Sequence, residues 1–405
     1  MKTVLFLAGR YFPKASPNSI CMQAIINGLP KEDYKIKVVC YEDGFSTEYS
    51  FPVIKISRGI IQRLLYRFEQ SSSRLSKRVI QILRKAINAK QIFCYLIWPW
   101  TDPVFTLKEL RCARSIYKTD KYDIIIAIYM PLSSLIVANR IKKEHPKVIY
   151  IPYFLDALSG GNAPRFMKQT TYENKARKWE KRLTENADKI VFMKSVQQHI
   201  SKFYKESEIV KKTVFLDIPL LTKRDYIARD NQKMILVYVG SLPVSVRSPE
   251  YLLKVFSKIP NDDWEFIFVG ETTCEVLNYY AKNDRRIKVL GRCSHKEALY
   301  YESIATALVN FGNKNTNLTP SKIFEYISWR KKIVSTICIE GDTSVKYLDY
   351  YPEALILNEN DQDIDDAAIR LSEFLKASKK DISYEELKKI YFENTPEAFI
   401  SIIQN

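Results

Sequence analysis

No stretch of this chain is long and apolar enough to read as a bilayer span. Its longest apolar runs, such as IIIAIYMPL at 124–132, fall well short of the roughly 18–20 residues that a spanning helix needs. Nor does the chain open like a secretory leader. The apolar run in MKTVLFLAGRYFPKASP is too short and reads better as a first β-strand. The seven cysteines are odd in number, scattered, and include no C-x-x-C pair. That argues against a disulfide framework or structural zinc and for reduced thiols in the cytoplasm. His145, His199 and His295 lie far apart without metal-ligand spacing, so structural roles are expected for them and no metal site. G-x-G-x-x-G and P-loop motifs are absent, and the lone Gly160-Gly161 pair is not a dinucleotide fingerprint.

Positive charge is what the chain has in excess. A net charge of +17 and a pI near 9.3 point to an anionic partner: nucleic acid, anionic lipid or a phosphorylated substrate. The excess is concentrated. Arg58, Arg63, Arg67, Arg74, Lys77, Arg78, Arg84, Lys85 and Lys90 face a single acid, Glu69. Apolar residues from Ile60 to Leu83 are interleaved with them at spacings of three and four. The segment reads as basic amphipathic helix, followed by the aromatic run FCYLIWPW at 93–100. Arg63, Arg67, Arg74, Arg78, Arg84 and Lys85 could face an anionic membrane with apolar side chains dipping between them. Two surface helices packed on a domain core would show the same periodicity.

A chain of 405 residues with 46% hydrophobic and 27% charged content suggests two folded domains. Both halves alternate apolar strands with helical segments. In the first half the strands are 2–8, 36–41, 123–128, 148–152 and 189–193. In the second they are 234–239, 265–270, 287–291, 307–311, 333–336 and 354–357, spaced by roughly twenty residues. Strands apolar on both faces and separated by helices indicate parallel sheets covered on both sides. The expected fold is α/β, with two doubly wound Rossmann-like domains facing across a cleft. The expected domains are 1–221, a polar linker at 222–233, 234–382, and a helical tail at 383–405 that packs back on the first domain.

The most informative segment is NLTPSKIFEYISWRKKIVS at 317–335. Thr319 supplies an expected N-cap and Pro320 a first helical position. Lys322 then falls in the first turn, where a cation is unfavourable by roughly 0.3–1 kcal/mol. The placement makes sense if an anion docks there, held by helix amides, Ser321 and Lys322. Glu325, one turn on, could reach a group attached to that anion. The loop GSLPVSVRSP (240–249) follows the strand at 234–239 directly. Gly240 there permits close backbone approach, and Arg247 is placed to grip phosphate oxygens.

These motifs resemble those of glycosyltransferases of the two-Rossmann-domain (GT-B) type, and are similar to family 4 retaining enzymes. That family shows G-R-L with a Lys six residues after the Arg; here Ser241 and Arg247 stand at those places. It also shows E-x7-E, a frame that Glu325-Tyr-Ile-Ser-Trp-Arg-Lys-Lys-Ile-Val fits with Asn317 at the first Glu. The P-S-K-I-F-E-Y form is similar to a subset that builds bacterial surface polysaccharides. The resemblance implies that Glu325 binds the ribose hydroxyls of a sugar nucleotide. Arg247, Ser321 and Lys322 would hold its diphosphate, with Gly240 and Ser241 beside it. Asn317, Leu318 and Thr319 would face the donor sugar. Asp156, in YFLDALSGGN (153–162), matches an Asp in related enzymes that orients or deprotonates the acceptor; a turn or N-cap Asp would look the same. The first loop, at 9–19, lacks the Gly-Gly of many relatives.

The implied activity is metal-independent transfer of a sugar from a nucleotide-diphosphate donor to a glycan or lipid-linked acceptor. No cofactor is expected, and the expected location is cytoplasmic, peripheral on the inner face of the membrane. Asn317 and Ser241 also fit a non-catalytic sugar-nucleotide or polysaccharide-binding relative. Charge alone would fit a nucleic-acid-binding protein, but no such module is visible and no nucleic-acid partner is expected. The acidic run Asp361, Asp363 and Asp365 imitates a metal-binding D-x-D only superficially, since acids near a helix start are common.

Overall fold

The computed structural model describes residues 1–9, 17–42, 49–57, 60–69, 73–164, 167–205, 207–225, 233–260, 263–314 and 320–404. The chain divides into two compact units, Met1–Asp217 with Phe399–Asn405, and Ile218–Ala398.

The first unit is built on seven strands: β1 (Lys2–Gly9), β2 (Tyr34–Tyr41), β3 (Val53–Ile56), β4 (Ile124–Tyr129), β5 (Ile149–Phe154), β6 (Ile190–Met193) and β7 (Thr213–Leu216). They form one parallel sheet in the order β3-β2-β1-β4-β5-β6-β7. Its helices are α1 (Pro17–Gly28), α2 (Ile60–Glu69), α3 (Arg74–Leu96), α4 (Pro103–Asp120), α5 (Leu132–Glu144), α6 (Gln169–Thr184), α7 (Gln197–Phe203) and α8 (Glu208–Lys212). The central strands are buried on both faces, as the unbroken apolar runs VLFLA and IIIAI require. Burial of each such Ile, Leu or Val contributes roughly 1.5–3 kcal/mol. The short edge strands β3 and β7 and the helix α4 were not expected. Each edge strand has four residues, too few to show a period. Helix α4 opens on an Asp102 side chain that accepts from the Phe105 N–H at 3.2 Å, with Pro103 at its first position.

The second unit has six strands, β8 (Met234–Val239), β9 (Trp264–Val269), β10 (Ile287–Gly291), β11 (Ala307–Phe311), β12 (Lys332–Ile337) and β13 (Ala354–Asn358). They too are all parallel, in the order β10-β9-β8-β11-β12-β13. Its helices are α9 (Glu250–Ser257), α10 (Glu275–Asn283), α11 (His295–Ile304), α12 (Lys322–Ser328), α13 (Val345–Leu348), α14 (Ile364–Lys376) and α15 (Tyr384–Ile390), while α16 (Pro396–Gln404) counts with the first unit from Phe399 on. Thr222, assigned above to a linker, is tied into this unit: its N–H donates to Ser328 Oγ at 3.0 Å. Asp363 caps α14 by accepting from Asp366 N at 2.9 Å, which gives that acidic run a structural purpose. Among the described residues no three His, Cys, Asp or Glu side chains are grouped to hold a metal ion.

Two adjacent lysines secure the helices flanking β12. Consecutive residues of an extended chain face opposite sides of a sheet. Lys331 Nζ donates to the carbonyls of Ser303 and Ala305 at the end of α11. Lys332 Nζ donates to the carbonyls of Phe374, Leu375 and Ala377 at the end of α14. Each ammonium thus satisfies last-turn carbonyls where the helix dipole favours a cation. Burial pushes Lys331 down to about 8.

A buried acid in the first unit makes its stability pH-dependent. Glu109 of α4 is fully buried and accepts from Ser134 Oγ of α5 at 3.0 Å. Burial pushes its carboxyl up to about 8, against the hydrogen bond from Ser134. The folded chain therefore holds a proton there that the unfolded chain gives up near 4.5. The stability from this proton is present below about 4.5 and is lost as pH rises to about 8. Glu109→Gln should match the wild type near pH 5 and exceed it above about pH 8, by on the order of 1–3 kcal/mol. Urea denaturation across that range checks the sign.

Candidate functional site

In an open parallel sheet, a crevice opens beyond the carboxyl ends of the two strands where the winding reverses. In the second unit these are β8 and β11. Their ladder is short, pairing Ala307 with Leu236 and Leu308 with Val237. Beyond it the Tyr326 phenol of α12 takes over: its oxygen accepts from Val239 N at 3.0 Å and donates to Val239 O at 3.3 Å. This fastens α12 to the end of β8. The β8 end is also crowded. Gly240 has φ +152° and Gly270 φ +143°, and a Cβ on Gly270 would stand 2.1 Å from the Gly240 carbonyl oxygen. Only glycine fits both positions.

The loop after β8 turns back on itself, with the N–H groups of Val246 and Arg247 donating to Pro243 O at 2.8 and 3.1 Å. The loop after β11 is stitched to it: Lys314 N donates to Val246 O at 2.7 Å and Lys314 Nζ to Val244 O at 3.2 Å. On its other side that loop is held by the buried Asp342, which accepts from Asn313 N at 3.1 Å. The Tyr238 phenol donates to Ser241 O at 2.8 Å. Burial raises that phenol, while the nearby charges of Arg247 and Lys322 pull the other way. The charges of Arg247 and Lys322 thus both act on one tyrosine at the reversal, and Arg247 Nε is buried with no hydrogen-bond partner among the described residues.

Lys322 is not a bare cation. Its Nζ lies 2.9 Å from Glu325 Oε2 and 3.1 Å from Glu302 Oε1. Glu302 is fully buried at the end of α11, and its second oxygen accepts from Trp329 Nε1 at 2.8 Å. Arg224 lies 3.8 Å from the same Glu325 oxygen, with its guanidinium 4.9 Å from the Trp329 ring centroid. Burial alone would lower the Lys322 ammonium, but the two carboxylates outweigh it and hold the group above the usual lysine range. Helix α12 begins at Lys322, two residues later than expected. Ser321 is its N-cap and makes no side-chain capping bond, so the expected Thr319 cap with Pro320 opening the helix is corrected. Asn317, Leu318 and Thr319 lie outside the described residues, as do residues 10–16 of the first loop. Glu302, Trp329, Tyr326 and Arg224 were missed. The available signal for Glu302 was an acid four residues after Ala298, on the buried stripe of its helix.

No protein-family model matches the chain, and no curated protein matches it by sequence. Solved structures do match over its whole length. The N-terminal domain of trehalose-6-phosphate phosphatase from Candida albicans aligns with 100% of this chain and 96% of its own, at 12% identity and a TM-score of 0.59. An α-glucosyltransferase in complex with UDP covers 100% and 98%, at 10% and 0.55. HepE from Anabaena, in complex with UDP and glucose, covers 99% and 95%, at 13% and 0.52. The fold is that of GT-B glycosyltransferases. At these identities the likeness speaks for architecture.

Asp156 belongs to the first unit. It is exposed in the turn between β5 and a short 3-10 turn at Leu158–Gly160, and desolvation raises its carboxyl. The turn is held from beneath by buried Glu180, which accepts from Leu158 N at 3.0 Å, Ser159 Oγ at 2.6 Å and Tyr204 OH at 2.5 Å. His199 Nε2 lies 2.8 Å from Ser159 Oγ. This is no Ser-His-acid nucleophile, because the carboxylate binds the serine rather than the histidine. His145 stacks on Tyr117 at 3.7 Å.

Removing one partner from a buried ion cluster leaves the others uncompensated. Lys322→Met should destabilise the protein by roughly 3–5 kcal/mol. Adding Glu302→Gln to it should restore part of the loss, as read by urea denaturation of the two single variants and the double.

Proposed function

We propose that the chain is a retaining glycosyltransferase that moves a sugar from a nucleotide-diphosphate donor to a glycan or lipid-linked acceptor. The observation that carries the reading is the grouping of Arg247, Lys322 and Glu325 at the reversal of the second sheet. Arg247, Ser321 and Lys322 hold the diphosphate, and Glu325 accepts from the ribose hydroxyls. Gly240 and Ser241 lie against the phosphates, while Asn317, Leu318 and Thr319 contact the sugar. The bond between the anomeric carbon and the phosphate oxygen breaks as the acceptor oxygen bonds to that carbon on the same face. The acceptor proton passes to the departing phosphate, and Asp156 orients the acceptor hydroxyl. Arg247 and Lys322 offset charge developing on the leaving group, so the reaction runs without a metal. UDP in two structures of this fold makes UDP-sugars the first donors to try. A thermal-shift panel of UDP-, GDP- and dTDP-sugars should find one that raises the melting temperature. Product NMR should then show the donor's anomeric configuration kept. Arg247→Ala should lower kcat/KM at least tenfold, about 1.4 kcal/mol. Binding without turnover on any donor would favour the non-catalytic relative.

We place the acceptor at an anionic membrane surface, in bacterial surface-polysaccharide synthesis, with the protein peripheral on the cytoplasmic side. Between Ile56 and Trp98 no apolar side chain that the structure describes is fully buried, and Leu65, Phe68, Val79, Ile80, Leu83 and Ile87 are half-buried. Leu75 and Ile82 of α3 are 77% and 66% exposed. Arg78 and Lys85, also exposed, alternate with them at spacings of three and four along one stripe. Arg67 and Arg84 are exposed as well, whereas the side chains of Arg63 and Arg74 lie outside the description. No described helix is long and apolar enough to cross a membrane. Binding to phosphatidylglycerol vesicles should fall about tenfold in Leu75→Ser/Ile82→Ser and weaken with salt; equal binding to neutral vesicles would overturn this placement.

A further inference from the structure

Glu302 is the acid in the Lys322 cluster to which the proposed reaction gives no task, yet it is the most firmly held. It is fully buried, and both its oxygens are engaged, by Lys322 Nζ and Trp329 Nε1. The carbonyls of Ser303 and Ala305, on either side of the end of α11, are gripped by Lys331. Glu325, by contrast, meets the ends of two long cationic side chains among the described residues, Lys322 at 2.9 Å and Arg224 at 3.8 Å. When a ribose diol engages Glu325, the carboxylate that stays with Lys322 is Glu302.

Lys322 itself meets two carboxylates, and Arg224 stands on the far one, Glu325. A lysine offers three N–H donors, and here two go to acids. A diphosphate approaching the remaining side of Lys322 meets an ammonium whose field is largely cancelled at short range, in surroundings that screen poorly. We propose that Glu302 is a positioning residue and charge counterweight: it fixes Lys322 at the head of α12 and offsets its charge, so that the nucleoside diphosphate left after transfer is released rather than retained. The proposal rests on the donor-site reading above and concerns how tightly that site holds its anion.

Glu302→Gln keeps the side-chain shape and removes the charge. Calorimetry on the full chain is run with inorganic pyrophosphate, UDP and GDP, and with uridine and guanosine as uncharged controls. Glu302→Gln should bind pyrophosphate and the preferred nucleoside diphosphate about tenfold more tightly, with a steeper salt dependence and no change for the nucleoside. Glu302→Asp, which withdraws the carboxylate by one methylene, should shift affinity the same way by less, and it decides the matter if Glu302→Gln does not fold. A merely structural role predicts the opposite sign, since a displaced Lys322 would bind anions more weakly. Unchanged or weaker pyrophosphate binding in the folded variants would overturn the proposal. If the wild type binds pyrophosphate but no nucleoside diphosphate, the donor reading falls and the counterweight is judged on pyrophosphate alone. If it binds neither, both fall.

Discussion

The second unit depends on one phenol. Where β8 and β11 part, their backbone groups lose each other, and Tyr326 supplies both a donor and an acceptor to Val239. A buried peptide left unpaired there would be costly, and a tyrosine from the following helix is an economical replacement because it does both jobs with one oxygen. The consequence is geometric. Helix α12 cannot slide along the sheet without breaking that pair, so Lys322 and Glu325, four residues and one residue before the phenol, are held at the crevice. Ser328 secures the other end of the helix through Phe324 O and Leu220 O.

Charge at this crevice is arranged in layers. The innermost layer is Glu302 with Trp329, sealed from solvent. Lys322 and Glu325 come next, and Arg224 and Arg247 lie outward, each partly exposed. Alternating signs from the inside out keeps every buried charge opposite a partner, which is the condition under which such charges are tolerated at all. It also leaves the outermost layer cationic, the sign that an incoming phosphate needs.

Much of this was legible in the sequence. The strands MILVYV, IKVLG and ALVNF coincide with β8, β10 and β11 residue for residue, the central β8 and β11 because burial on both faces favours apolar runs and the edge strand β10 through its β-branched and apolar residues around Lys288. Arg247, Lys322 and Glu325 could be named because each sits at a fixed offset from a strand end or helix start. Glu302 and Arg224 could not. Their significance lies in a meeting of α11, α12 and the segment after Leu221, and no local spacing encodes that meeting. The start of α12 was misplaced for a related reason: Thr-Pro is a strong local start signal, but here Ser321 takes the cap position and the helix begins at Lys322. In the first unit the charge pattern of 58–90 announced two helices but not which apolar side chains face water.

The two lysines at the start of β12 have a consequence for strand register. Shifting β12 by one residue would exchange the faces of Lys331 and Lys332 and bring Arg330 or Ile333 into one of the two carbonyl cages. In one direction Ile333, which cannot donate, would face the end of α14; in the other Lys332 would enter the buried place of Ile333. An error of one residue is therefore penalised in either direction. The pair acts as a locating pin for the parallel ladder of β11, β12 and β13, whose alignment hydrophobic side chains of similar size would leave only weakly specified.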